Sequence, residues 1–262
     1  MAKLVEGKSI IVTGGGGGIG EGIARDLAAE GARVVVADID LAAAERVAAA
    51  IRKDKGEAVA VQVDVADRAS VQAMIKETVR AFGRLDVLFN NAGISKAGLF
   101  MEANEADWAR IMGINGLGVL IGMQEAAKQM IAQRSGGKII NTASIAGKVG
   151  EAIATIYCAS KACVISLTQA GAEALGEHNI TVNSFSPGFV KTQLWDGLDK
   201  DLMASGMRNE PNAVDALAAE RAILRRASTP QDLVGATTFL ASAKSDYITG
   251  QNLMVDGGVR LI

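Results

Sequence analysis

Short apolar runs that lack the in–out alternation of a half-exposed strand recur along this chain, and stretches with helical spacing separate them. The runs lie in KSIIVTG, ARVVVAD, AVAVQVDV, LDVLFNNAG, KIINTAS, ITVNSFSPG and QNLMVDGG. Strands that are apolar on both faces need cover on both faces, which is the condition of a parallel sheet between helical layers. Helices are read at Ile19 to Glu30, Leu41 to Lys55, Asp67 to Phe82, Asp107 to Arg134 and Ile156 to Leu175. In the first, Ile23, Ala24, Leu27 and Ala28 share a face and Gly31 is a stop signal. In the third, Val71, Met74, Ile75, Thr78 and Val79 do the same. The expectation is α/β, one doubly wound domain over residues 1–262, with seven strands.

Nothing in the composition divides the chain, and with 49% hydrophobic residues it can bury a large core. A net charge of −2 without a basic cluster gives no footprint for nucleic acid or an anionic membrane. There is no run of eighteen apolar residues, and MAKLVEGKS has no signal-peptide core, so a cytoplasmic protein is expected. Cys158 and Cys163, five apart on a helix, point to different faces and are read as reduced. His178 has no partner at metal-ligand spacing, and no metal is expected. One segment breaks the rhythm: residues 191–226 are long and polar, with helical character from Asn212 to Leu224. Following the sixth strand, it reads equally as a substrate lid or as a surface helical insertion.

Between the first strand and first helix stands TGGGGGIG, Thr13 to Gly20. Bare backbone N–H groups at a helix N-terminus suit a pyrophosphate. The glycine pattern alone is weak, but Asp38 ends the second strand 18 residues beyond Gly20, the spacing of a ribose-binding carboxylate. A carboxylate there accepts both ribose hydroxyls and repels a 2′-phosphate. Gly15, Gly16 and Gly17 are neutral and Ile39-Asp40 adds no cation, so NAD is the expected cofactor. Gly15 to Gly17 are read as positions where other residues are tolerated, Gly16→Ala being mild. Asp64-Val65 ends the third strand where the adenine would lie, and Asn90-Asn91-Ala92-Gly93 offers small side chains after the fourth.

Tyr157 and Lys161 are four apart on a helix and share a face. An ammonium beside a phenol favours the phenolate and makes tyrosine a usable base near neutral pH. The alternative is a half-buried aromatic beside a solvated lysine. Ser144 follows the fifth strand and can hydrogen-bond a substrate oxygen. Asn115 sits in GINGLG, whose glycines weaken the long helix by roughly 1 kcal/mol each against alanine. Either that helix breaks there and frees a carbonyl, or the small residues allow close packing.

These residues, with PGFVKT at Pro187 to Thr192 and the closing DGG at Asp256 to Gly258, stand in an order that resembles the short-chain dehydrogenase/reductase family over nearly the whole chain. The resemblance implies a Rossmann-like sheet in order 3-2-1-4-5-6-7, a homotetramer, and the tetrad Asn115, Ser144, Tyr157 and Lys161. It implies that cofactor contacts come from Gly14, Gly18, Ile19, Gly20, Asp38, Ile39, Asp64, Val65, Asn91, Ala92, Gly93, Tyr157 and Lys161, and from Pro187, Gly188, Val190 and Thr192. Within the family, GKIINTASIAGKVGE, PGFVKTQLWDGLD and SDYITGQNLMVDGG look most like NAD-dependent polyol dehydrogenases and acetoin reductases or 2,3-butanediol dehydrogenases. The expected substrate is then a secondary alcohol or its ketone, in a pocket of Ser95, Ser144, Ile145, Glu151, Tyr157, Gly188 and Trp195. Glu151 either accepts a second substrate hydroxyl or is a solvated loop residue. Alternatives are a 3-oxoacyl carrier-protein reductase, with Arg221, Arg225 and Arg226 as a basic patch, and a hydroxysteroid-type dehydrogenase. A non-catalytic dinucleotide-binding protein has no use for Tyr157 beside Lys161.

Overall fold

A computed structural model describes residues 3–204, 206 and 211–261. Seven strands form one sheet: β1 (Ser9–Thr13), β2 (Arg33–Asp38), β3 (Glu57–Gln62), β4 (Val87–Asn90), β5 (Gly137–Thr142), β6 (Ile180–Pro187) and β7 (Asn252–Val255). Every pairing is parallel and the order is 3-2-1-4-5-6-7, as expected. The sheet is apolar on both sides because each strand feeds two cores. Ile10, Val12, Val34 and Val36 pack toward α1 (Gly18–Ala29), α2 (Leu41–Lys53) and α9 (Gln231–Ala241). Their neighbours Ile11, Val35 and Ala37 pack toward α3 (Arg68–Phe82), α5 (Gly118–Gln133) and α6 (Thr155–Leu175). Crossover connections put the chain reversal between β1 and β4, and the crevice there opens at the carboxyl ends of the strands.

The single long helix read over Asp107 to Arg134 is two helices. Asn104 caps α4 (Glu105–Met112) through the Asp107 N–H, a π turn spans Gly113–Leu117, and α5 follows. The helix departs from α geometry around Asn115 through this π turn, and Gly116 and Gly118 admit Cys163 and Val65 at close range, as the packing reading expects. The helix α9 has no counterpart in the sequence reading. After β6 the chain forms α7 (Gln193–Ala204), also unanticipated, and α8 (Ala213–Arg221), within the stretch read as helical. Residue 205 and residues 207–210 of the anticipated lid lie outside the described residues. The two helices carry their own small cores: Phe189, Val214, Ala218 and Ala227 in one, Ala97, Leu202 and Ala213 in the other. They stand over the carboxyl ends of β5 and β6 as a separately packed layer.

Candidate active site

A cleft of about 580 Å³ runs along the carboxyl ends of β1 to β4 and is lined by Gly14, Gly18, Asp38, Asp64, Asn91 and Lys161, among others. The first helix starts at Gly18 with no side-chain cap, so its leading N–H groups face the cleft. Gly14 has φ +62° and lies against the backbone of Ala92; a Cβ on Gly20 would stand 2.0 Å from the Gly14 carbonyl oxygen. Gly18, at φ +53°, faces Thr192. The filler glycines are not equivalent, which corrects the sequence reading. A Cβ on Gly16 would meet Asp38 Oδ2 at 2.9 Å and Ala43 Cβ at 2.8 Å, and one on Gly15 would meet the Val12 carbonyl at 2.9 Å. Only Gly17 has a yielding neighbour, the end of the Gln193 side chain. Gly16→Ala is therefore expected to disturb Asp38.

Asp38 is held open to the cleft by two backbone donors, Gly16 N–H to Oδ2 at 2.9 Å and Asp40 N–H to Oδ1 at 3.1 Å. Asp40 in turn caps α2 through Ala42 and Ala43. The carboxylate thus keeps lone pairs for a diol while its orientation is fixed. Asn91 lines the cleft, but its amide is spent on the protein: Nδ2 donates to the Thr13 carbonyl at 3.1 Å and Oδ1 accepts from Thr142 Oγ1 at 3.1 Å. It ties β1 to β5 and sets the floor. A side chain on Gly93 would press Asn115 Oδ1 at 3.2 Å and touch Lys161 Nζ at 3.5 Å, so this glycine keeps room at the lysine end of the cleft. These residues fit a dinucleotide: bare N–H groups at one helix start, an oriented carboxylate at one end and a lysine at the other.

At that end the cleft meets a second cavity of about 140 Å³. Tyr157, Thr142, Thr192 and Ile19 line both. All the expected substrate residues, Ser95, Ser144, Ile145, Glu151, Tyr157, Gly188 and Trp195, border it. Much of its remaining wall is apolar, including Phe189, Leu194, Leu198 and Leu217, none of which the sequence reading singled out. Among the described residues Ser95 Oγ is buried without a hydrogen-bond partner. Ile39, Val65 and Ala92 border the larger cleft, and Pro187 and Val190 the smaller.

Lys161 is almost fully buried, with Nζ donating to the Thr142 carbonyl at 2.7 Å and standing 5.7 Å from the centre of the Tyr157 ring. Burial pulls its pKa down to about 8. Burial also pushes the Tyr157 phenol up to about 12, and a hydrogen bond with Ser144 offsets this only in part. Desolvation disfavours both charged forms and so works against the phenolate that the Tyr157–Lys161 spacing favours. The Asn115 side chain, fully buried, bonds the Ile94 backbone in both directions at 2.9 Å and donates to Ser160 Oγ at 3.0 Å. Ser160 donates to the Tyr157 carbonyl at 2.7 Å, so a residue absent from the sequence reading links Asn115 to the Tyr157 turn of α6.

Glu151 borders the pocket and is not the solvated loop residue of the alternative reading, since two arginines hold it. Its Oε1 takes Arg221 of α8 at 2.5 Å and Arg260 of the C-terminal segment at 2.6 Å. Burial opposes its ionisation, but the two guanidinium groups hold its pKa below the usual value. The basic patch is likewise spent on this chain: Arg225 rests on the Ala219 and Glu220 carbonyls, and Arg226 pairs with Asp232. Cys158 and Cys163 are free thiols, and among the described residues no cluster of three or more His, Cys, Asp or Glu side chains is placed to hold a metal.

The sequence profile described as Enoyl-(Acyl carrier protein) reductase matches residues 14–260. The chain is 43% identical over 251 residues to galactitol 2-dehydrogenase of Agrobacterium fabrum, covering 96% of each chain. It is 38% identical to diacetyl reductase [(S)-acetoin forming] of Staphylococcus epidermidis, covering 96% of this chain and 98% of that one. The crystal structure of a short-chain type dehydrogenase/reductase from Mycobacterium marinum superimposes with a TM-score of 0.90 at 33% identity, over 100% of this chain and 98% of that one.

Proposed function

Since the chain belongs to the short-chain dehydrogenase/reductase family, we propose that it is an NAD(H)-dependent oxidoreductase of secondary alcohols that carry a second oxygen, a sugar alcohol or vicinal diol. The observation that carries this reading is the position of Tyr157 in the wall shared by the long cleft and the small pocket, with Ser144 and Lys161 beside it. A nicotinamide dinucleotide supplies the hydride acceptor or donor. Ser144 hydrogen-bonds the reacting oxygen, Tyr157 takes or returns its proton, and Lys161 biases that phenol through its charge. Asp38 supports NAD over NADP; comparable or better turnover with NADP than with NAD refutes that choice. Tyr157→Phe is expected to abolish turnover and leave NAD affinity nearly unchanged, and residual turnover within tenfold of wild type rejects the assignment.

Cavity size narrows the substrate. An apolar cavity of about 150 Å³ holds benzene, so the 140 Å³ pocket suits about six non-hydrogen atoms between apolar walls. That favours a four-carbon vicinal diol or hydroxyketone over a hexitol, whose outer hydroxyls would face leucine and tryptophan. A screen of NAD reduction tests this with sorbitol, galactitol, mannitol, butane-2,3-diol, a steroid alcohol and a 3-hydroxyacyl thioester. We expect the highest kcat/KM for the diol; a hexitol in first place refutes the size argument, and the steroid or the thioester in first place refutes the substrate class.

A homotetramer fits the surface of α6, an apolar helix only 33% buried over its most apolar window. Light scattering at micromolar concentration tests it. The free thiols of Cys158 and Cys163 fit a reducing, cytoplasmic setting.

A further inference from the structure

Helix α2 brings a cation to the glycine loop that neither the loop nor the end of β2 contains. Arg46 lies eight positions beyond Asp38 in sequence. Its Nη2 donates to the Gly16 carbonyl at 2.7 Å and to Glu21 Oε2 at 2.7 Å, and its Nη1 donates to Glu21 Oε1 at 3.1 Å. Glu21 belongs to the first turn of α1 and also pairs with Arg25 at 2.9 Å. The hydrogen bond from Arg46 is the main reason that the Glu21 carboxyl sits below its usual pKa. The same Gly16 whose carbonyl takes Arg46 donates its N–H to Asp38 at 2.9 Å. The nitrogen and oxygen of one residue lie within about 4 Å of each other. The guanidinium is therefore within roughly 10 Å of the ribose-facing carboxylate, less than a Debye length or so. Its side chain is 54% exposed, and among the described residues Glu21 and the Gly16 carbonyl alone take hydrogen bonds from its head.

We propose that Glu21 is a second determinant of cofactor choice, acting by holding Arg46 on the Gly16 carbonyl. The proposal rests on the reading of Asp38 as the ribose carboxylate. Exclusion of a 2′-phosphate then has two layers. Asp38 repels the phosphate, with Asp40 adding negative charge beside it, and Glu21 withholds the cation nearest the loop from pairing with it. A guanidinium freed from Glu21 presents the fork that matches a phosphate, which a lysine at the same place would not. Arg25 shares Glu21 but hangs from α1 and has no bond to the loop, so its release is not expected to serve the phosphate.

The test measures binding, by isothermal titration with NAD+ and with NADP+. The proteins are wild type, D38N, D38N/E21Q, and the last of these carrying either R46A or R25A. D38N is expected to tighten NADP+ binding, and E21Q to tighten it by about a further tenfold with NAD+ affinity within threefold. R46A should erase the second gain and R25A should not, and raising salt from 0.05 to 0.3 M should shrink it. An E21Q gain that survives R46A overturns the proposal, as does no E21Q gain at all. If D38N does not fold, E21Q and E21Q/R46A give the same comparison with Asp38 in place. Wild type binding NADP+ as tightly as NAD+ overturns the NAD reading instead; the effect of R46A on NADP+ affinity still decides whether Arg46 meets the phosphate.

Discussion

Lys161→Met keeps the length of a buried side chain and removes its charge, so it isolates what that charge costs. Burial moves the lysine from an ordinary value of 10.5 to about 8. A change of that size corresponds to about 3 kcal/mol between folded and unfolded states. The sign follows from proton counting. Below pH 8 the amine is protonated in both states, and the folded protein carries the full cost of a buried ammonium. Between pH 8 and 10.5 the unfolded chain holds the proton that the folded chain has lost, so the wild type gains stability as pH rises. Above 10.5 both forms are neutral and the cost is gone. The variant has no such group, so its stability relative to wild type should fall by about 3 kcal/mol from pH 7 to pH 10.5. The lost bond from Nζ to the Thr142 carbonyl offsets about 1 kcal/mol at every pH and leaves the slope alone. Urea unfolding of both proteins at pH 7, 8.5 and 10 reads the difference directly. A stability difference that is flat with pH refutes the claim that desolvation dominates at Lys161.

Further outcomes are expected at four residues, Gly20, Gly17, Ser160 and Glu151. Gly20→Ala should lose cofactor binding or fail to fold, because its Cβ lies 2.0 Å from the Gly14 carbonyl, whereas Gly17→Ala should bind NAD within about threefold of wild type; titration of NAD affinity separates them. Ser160→Ala should lower kcat about tenfold at unchanged KM, since it frees Asn115 and the Tyr157 carbonyl together, at about 1 kcal/mol of stability; Ser160→Thr should restore much of the rate, and equal kcat for both variants would reject the linkage. Glu151→Gln should speed amide hydrogen exchange across Ala213–Arg221 by weakening the tie to Arg221, while leaving the ratio of sorbitol to butanediol turnover unchanged. A changed ratio would return Glu151 to the role of a hydroxyl acceptor.

The parallel sheet was legible because its strands feed two cores, so each shows an uninterrupted apolar run. The order of the motifs carried the rest of the frame. Helix α9 and helix α7 were not legible in the same way. In α9 the buried face is Leu233, Thr237, Thr238, Leu240 and Ala241, two of the five hydroxyl-bearing, and in α7 Leu202 alone among the described residues is buried. Weak amphipathicity gives α9 little period to read. The glycine run misled in the other direction. Residue type told nothing of the Asp38 carboxylate and Ala43 methyl that stand against Gly16, since both arrive from the far side of β2. Glu151 and Arg46 share that limit: their partners are 70 and 25 residues away, and ion pairs at such separations leave no spacing in the sequence.

The tyrosine and lysine are the place where residue type and environment disagree most, and the disagreement has one cause. A neighbouring ammonium should lower a phenol, and from spacing alone that effect looks decisive. In the folded chain the wall that excludes water acts on both groups. It favours neutral phenol and neutral amine, moving one to about 12 and the other to about 8. At pH 7 the amine still carries its proton, held by the Thr142 carbonyl, while the phenol keeps its own. Burial and the hydrogen bond with Ser144 act on the phenol in opposite senses, and burial is the larger. Anything that adds positive charge or a hydrogen-bond donor beside the phenolic oxygen lowers the phenol from that starting point. Alcohol oxidation should therefore show a rising pH profile whose midpoint lies below the phenol pKa of the free protein. Ultraviolet difference titration of Tyr157 against a Tyr157→Phe control locates that free value. A phenol already ionising near pH 7 in the free protein would refute the dominance of burial at this site.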